Sequence, residues 1–233
     1  MSPSLATRRV RCAMLAFGVC LTAGAGRLAA QAASEPALPA RLGAPAKTAI
    51  VAIMDSARAA GLPTTGLAAK AAEGVLKGAD DARIVDAVRA LARALGTARD
   101  ALGPTADPSV LDAGASALRA GVTPATLRSL GNAGATPAGA PALASALVTL
   151  VDFVAKGVPP ALASQSIEQL LRLGAPESRF VTLRNQVEAD IRDGQSPETA
   201  VTTRVRTSVQ QLGAPAGPGA AHPPPPDPAS QTV

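Results

Sequence analysis

The sequence predicts an all-α protein, an antiparallel helical array of about nine helices built on a helical-hairpin repeat, solenoid-like or closed into a bundle. Three observations carry this expectation. Apolar residues step by three and four along most of the chain, no stretch alternates as a strand would, and glycine and proline recur where helices stop and start. Alanine dominates, which favours helix, while leucine, valine and isoleucine supply the apolar contacts.

Taken in order, the first helix is expected over 46–60, closing on Arg58 ahead of Gly61, and the second over 63–77, opening at Pro63 and closing on Lys77. Asp80 and Asp81 follow Gly78 and head a third helix, 80–101, where acids cap the end and face its positive pole. Ile84, Val88, Leu91 and Leu95 form its apolar face, with Arg89 and Arg93 opposite. The fourth helix is expected over 107–120, ending on Arg119, and the fifth over 124–130, with Thr123 as its N-cap. Residues 142–156 carry Leu143, Leu147, Leu150, Val151 and Val154 on one stripe, and 159–173 runs from a proline pair to Arg172. The last two helices, 176–193 and 197–211, show stripes of Phe180, Leu183, Val187 and Ile191, and of Val201, Val205 and Val209; Ser196 caps the ninth.

The junctions share one plan. GLP at Gly61, GVTP at Gly121 and GVPP at Gly157 read glycine, aliphatic residue, then proline, with GAP at Gly174 and GQSP at Gly194 as variants. Such a glycine suits the left-handed turn that ends a helix. The aliphatic residue folds back onto the helix just ended, and proline needs no donor in the first turn of the next. A cation precedes each of these glycines and Gly78: Arg58, Lys77, Arg119, Lys156, Arg172 and Arg192, placed to favour the negative helix ends.

Residues 61–95 and 157–191 align without a gap. Gly61 matches Gly157, Pro63 Pro159, Gly78 Gly174, Arg83 Arg179, Val85 Val181, Leu91 Val187 and Leu95 Ile191, and in the helices before them Val51 matches Leu147 and Met54 Leu150. A duplicated helical unit follows, with a degenerate copy around Gly121. The helical domain, 46–211, therefore divides into two related halves, 46–130 and 142–211, joined by a loop at 131–141 (GNAGATPAGAP), and residues 33–45 (ASEPALPARLGAP) ahead of it are expected to form an extended lead-in.

Residues 1–32 carry Arg8, Arg9 and Arg11, an apolar run from Cys12 to about Ala25 and the small residues Ala30-Gln31-Ala32, the order of a cleavable signal peptide. The apolar run is too short for a spanning helix. The chain is expected to be exported, periplasmic or secreted, with membrane contact only if the signal segment is retained. Cleavage removes Cys12 and Cys20, and takes the 22 basic residues to 18 against 17 acidic ones, a net charge of about +1. Residues 212–233, ending in HPPPPDPASQTV, are too poor in apolar residues to pack and are expected to be disordered.

These absences exclude function classes. Without a thiol, and with His222 alone in a proline run, histidine triads, cysteine nucleophiles and zinc sites have no residues to use. A near-neutral chain whose only aromatics after cleavage are Phe153 and Phe180 lacks the basic stripe and stacking platform of a nucleic-acid binder. The stretch GLPTTGLAAK (61–70) looks like a phosphate loop, but Gly66 is followed by Leu67, and the aligned GVPPALASQS replaces Gly66 by Leu162 and Lys70 by Ser166. Both copies keep what a helix junction needs.

The G-[LV]-P junctions, helices ending in KGA or RLGA, and following helices that start RIV or RFV resemble a loose set of uncharacterised exported helical-repeat proteins of high-GC bacteria, over about residues 46–211. No function is known for that set, so the resemblance implies a fold and an exported location only. Tetratricopeptide proteins are a looser analogy, and their aromatic signature positions are missing. The expectation is a non-catalytic protein with a structural or interaction role in the cell envelope, taking another envelope protein as partner and using no catalytic residue, metal or cofactor. The alternatives are a periplasmic enzyme drawing on Asp55, Glu73, Asp86, Asp152, Glu168 and Glu188 with arginines or hydroxyls, and a helical protein of the membrane surface.

Overall fold

The structure, a computed structural model, describes residues 37–104, 106–136 and 139–213; the signal segment and all but the first two residues of the 212–233 tail lie outside them. Among the described residues there are nine helices and no strand: α1 (Ala44–Ala59), α2 (Thr65–Leu76), α3 (Asp81–Leu102), α4 (Pro108–Arg119), α5 (Pro124–Ala133), α6 (Gly139–Ala155), α7 (Pro160–Arg172), α8 (Glu177–Arg192) and α9 (Pro197–Gly213).

The helices stop where the junction chemistry directs. At Gly121 φ is +97°, a conformation that costs any residue with a Cβ, and it lets the next amide, that of Val122, donate to Ala117 O at 3.1 Å. The same bond recurs from Leu62 to Ala57 O, Ala79 to Gly74 O, Val158 to Phe153 O, Ala175 to Leu170 O and Gln195 to Asp190 O. The residue after the glycine does fold back: Val122, Val158 and Ala175 are buried, and Leu62 packs against the core. Prolines 108, 124, 160 and 197 occupy first-turn positions, and Thr123, Ser196 and Asp80 accept from the amides of Thr126, Thr199 and Arg83.

Three boundaries differ from expectation. The segment 131–141 is not one long loop: α5 continues to Ala133 and α6 begins at Gly139. Two of its glycines serve contact rather than freedom, because Gly131 sits against Leu102 and the buried Gly134 lies under Leu143, while Gly139 takes φ +68° at the start of α6. The second helix starts at Thr65, so Pro63 lies ahead of the cap instead of in the first turn. In the lead-in, the chain makes a turn at 40–42 ahead of an extended Gly43. Leu42 donates to Pro39 O and is buried, Leu38 packs on the core, and α1 opens at Ala44.

Helices are stacked in two layers. In one, α1, α3, α5, α7 and α9 pack in succession; in the other, α4 packs on α6 and α6 on α8; α2 is held on α3. The principal contacts join helices no more than two apart in chain order, so the array is open and solenoid-like. Neighbours within the first layer run parallel. Gly43 N donates to Asp81 Oδ2 at the N-terminal ends of α1 and α3, and an Arg99 nitrogen donates to Ala60 O near their C-terminal ends.

The internal repeat is carried by α1 and α6, and by α2 and α7, more than by the third pair. Ala46, Ile50, Met54 and Ala57 are buried as are Ala142, Ala146, Leu150 and Phe153, and Leu67, Ala68 and Ala71 as are Ala163, Ser164 and Ile167. In α3 and α8 only Ile84 and Phe180 share the buried face at aligned positions; Val88 is buried where Arg184 is not. The partners explain this, since α2 packs on α3 whereas α7 packs on α5, α6 and α9.

Close approach depends on small residues. A Cβ on Gly114 would stand 2.8 Å from Leu102 Cδ1 and 3.3 Å from Ala98 Cβ, whereas one on Gly96 would meet nothing within 4 Å. Gly114→Ala is therefore expected to destabilise by about 1–3 kcal/mol through overpacking. Gly96→Ala, inside α3, should stabilise by about 0.5–1 kcal/mol through helix propensity. Urea denaturation of the two variants checks the opposite signs.

Candidate binding groove

The carboxylates that sequence reading pooled do not converge; each is taken up within its own helix. Asp55 pairs with Arg58 at 2.6 Å, Asp86 with Arg89 at 2.6 Å, Asp152 with Lys156 at 2.6 Å and Glu188 with Arg192 at 3.1 Å. Glu73 lies between Lys70 and Lys77, whose hydrogen bonds hold its carboxyl down to about 2. Glu168 pairs with Arg172 at 2.5 Å. Five of the six helix-ending cations thus hold an acid one turn back, and Arg119 lacks an acid at the equivalent spacing. Of the acids heading α3, Asp80 caps that helix, while Asp81 accepts from Gly43 N at the start of α1. Among the described residues no group of three or more His, Cys, Asp or Glu is placed to hold a metal ion.

Lys70 is engaged with Glu73, and Gly66 lies inside α2, so the phosphate-loop reading has no geometry behind it.

Two acidic residues outside the pool have distinctive surroundings. Asp190 on α8 is 5% exposed and receives Arg204 of α9 in a fork, Nε to Oδ2 and Nη2 to Oδ1, both at 2.6 Å. Those hydrogen bonds hold its carboxyl below the ordinary range and raise the guanidinium in turn. Asp112 on α4 has its carboxyl pushed up by desolvation, with no cation beside it although its outer face meets solvent. The sequence signal for Asp112 is the lack of a cation three or four places away; Asp190 and Arg204, 14 residues apart, leave none.

A groove lined by polar side chains lies between α5 and α7. These helices are parallel neighbours: Pro160 lies by Gly121, and Ser129 Oγ donates to Glu168 Oε1 at 2.6 Å. The space is about 570 Å³, lined by small residues such as Ala125 and Ala161 and by Thr123, Thr126, Ser129, Ser164, Gln165 and Glu168. A second groove of about 460 Å³ lies across α7 toward Val209 of α9 and shares Gln165 and Glu168. A third, about 530 Å³, runs between α1 and α3 over Ala49, Ala52 and Ile53, with Arg89 and Arg93 beside it. Serine and carboxylate meet at Ser129–Glu168, a contact that ties α5 to α7.

No protein-family model, curated protein or solved structure matches the chain.

The Asp190–Arg204 pair makes a pH-dependent contribution. Because the folded carboxyl titrates below its unfolded value, the contribution is present above about pH 4 and is lost as pH falls through the lower folded value. Asp190→Asn leaves Arg204 without its charge partner and should lower Tm at neutral pH by roughly 5 °C or more. Thermal unfolding followed by circular dichroism should find that gap from the unsubstituted protein narrowing below about pH 4.

Proposed function

We propose that the protein is an exported, non-catalytic helical-repeat scaffold of the cell envelope that works by holding another envelope protein or by a structural role. The observation that carries this reading is the state of its acids. All six pooled carboxylates are tied to cations of their own helices, which suits helix termination and leaves no pair poised for acid-base work. An open array with grooves between parallel helices supports the interaction role, because stacked repeats present long continuous surfaces. No described helix is long and apolar enough to cross a membrane. Export rests on the order of residues 1–32 alone.

Affinity purification from an envelope fraction tests the interaction role, using the chain with and without residues 213–233. A partner recovered in stoichiometric amount is the expected result, and recovery of none with either form removes the interaction reading. Mass spectrometry of the chain recovered from the periplasm or medium should find it shortened by about 32 residues at the A-x-A site. A chain that stays full-length in the cytoplasm would overturn the export reading.

A further inference from the structure

One face of α7 carries hydrogen-bonding capacity that the fold does not use. Ser164, Gln165 and Glu168 fall at spacings of one, three and four, so they share the face that looks onto the α5/α7 groove. Ser164 lines the groove, where its hydroxyl stays open to solvent and makes no hydrogen bond among the described residues. The Gln165 amide at the rim is likewise without a partner there. Glu168 uses Oε1 for both Ser129 and Arg172, which leaves Oε2.

The chemistry of the lining narrows what can sit there. An anion would meet the Glu168 carboxylate, and no cationic side chain lines this groove; Arg172 lines the one beside it. A cation would find the Glu168 charge already matched by Arg172, and it would face the positive N-terminal end of α5 at Thr123 and that of α7 at Pro160. A purely apolar ligand would seal Ser164 and Glu168 Oε2 away from water unpaired. What remains is a neutral ligand whose groups both donate and accept. A pair of adjacent hydroxyls does this. One donates to Glu168 Oε2 and accepts from the Gln165 amide, while its neighbour exchanges a hydrogen bond with Ser164. A volume of about 570 Å³ is within the usual range for small-molecule sites and has room for one or two sugar rings.

We propose that the α5/α7 groove binds a neutral polyhydroxyl ligand of one or two sugar rings, with Glu168, Gln165 and Ser164 as its hydrogen-bonding residues. This site is independent of the scaffold reading, since a saccharide can occupy it whether or not another protein is bound.

The test is an NMR titration of the ¹⁵N-labelled full chain with glucose, N-acetylglucosamine and maltose, each to about 50 mM, a range that captures millimolar affinity. Triglycine serves as a neutral peptide probe. At least one sugar is expected to shift the amides of residues 121–129 and 160–168 saturably. Gln165→Ala and Ser164→Ala should each weaken that binding about tenfold, the loss of one well-placed hydrogen bond. Ser164→Ala also separates binding from folding. It removes a hydroxyl that makes no hydrogen bond within the fold, so its Tm should hold while affinity falls. Silence with all three sugars overturns the proposal, as do shifts confined to other residues or unchanged affinity in both variants. Triglycine shifting the groove amides while the sugars do not overturns it in favour of a peptide site.

Discussion

The fold rests on one backbone hydrogen bond made six times, from the amide just beyond a junction glycine to a carbonyl five residues back. Its effect is larger than its energy. It satisfies one of the carbonyls that a helix end leaves open, sets the direction in which the chain departs, and at five junctions draws an apolar residue, Leu62, Ala79, Val122, Val158 or Ala175, onto the core. Consecutive helices separated by four or five residues have little choice but to fold back on each other. Stacking in two layers then buries faces that an isolated hairpin would expose.

Alanine and glycine set how closely those layers meet. An alanine-rich interface buries little apolar area per residue, so Leu, Ile, Val and the two fully buried phenylalanines, Phe153 and Phe180, contribute most of the hydrophobic stabilisation. Small residues compensate by letting larger ones reach across. Gly74 admits Ile84 and Gly131 admits Leu102 at distances a Cβ would forbid. Helix α6, with Leu147, Leu150 and Phe153 fully shielded, packs against α4, α7 and α8 and so forms the middle of the second layer.

Local signals were legible in the sequence because they are local in physics. A cap, a stop and an apolar stripe are each decided within one or two turns, and Thr123, Gly121 and the α3 face at Ile84, Val88 and Leu95 behave as their types require. Glycine is ambiguous in a way no single window resolves. Gly131 and Gly134 look like loop residues by composition, yet they are sites of close contact with Leu102 and Leu143. The repeat was legible in its junctions and first two helices. It faded in the third, because the burial of α3 and α8 is decided by partners remote in sequence. For the groove, nothing in the chain announces that residues near Gly121 and Pro160 will be neighbours; the register between α5 and α7 is a property of the stack.

The same register explains why chemistry gathers on α7. In the other pooled acids, both carboxylate and cation belong to one helix surface, and their pairing leaves little behind. Glu168 differs because Ser129 reaches it from the neighbouring helix and shares the oxygen that Arg172 uses. Its side chain is also less exposed than any other acid in the pool, at 19%. An ion pair that merely ended a helix would gain nothing from that enclosure, since desolvating a carboxylate weakens the case for keeping it charged. Enclosure becomes useful when the second oxygen has something to accept. Helix termination put an acid at position 168, and the packing of α5 then turned that acid from a terminator into the polar end of a groove.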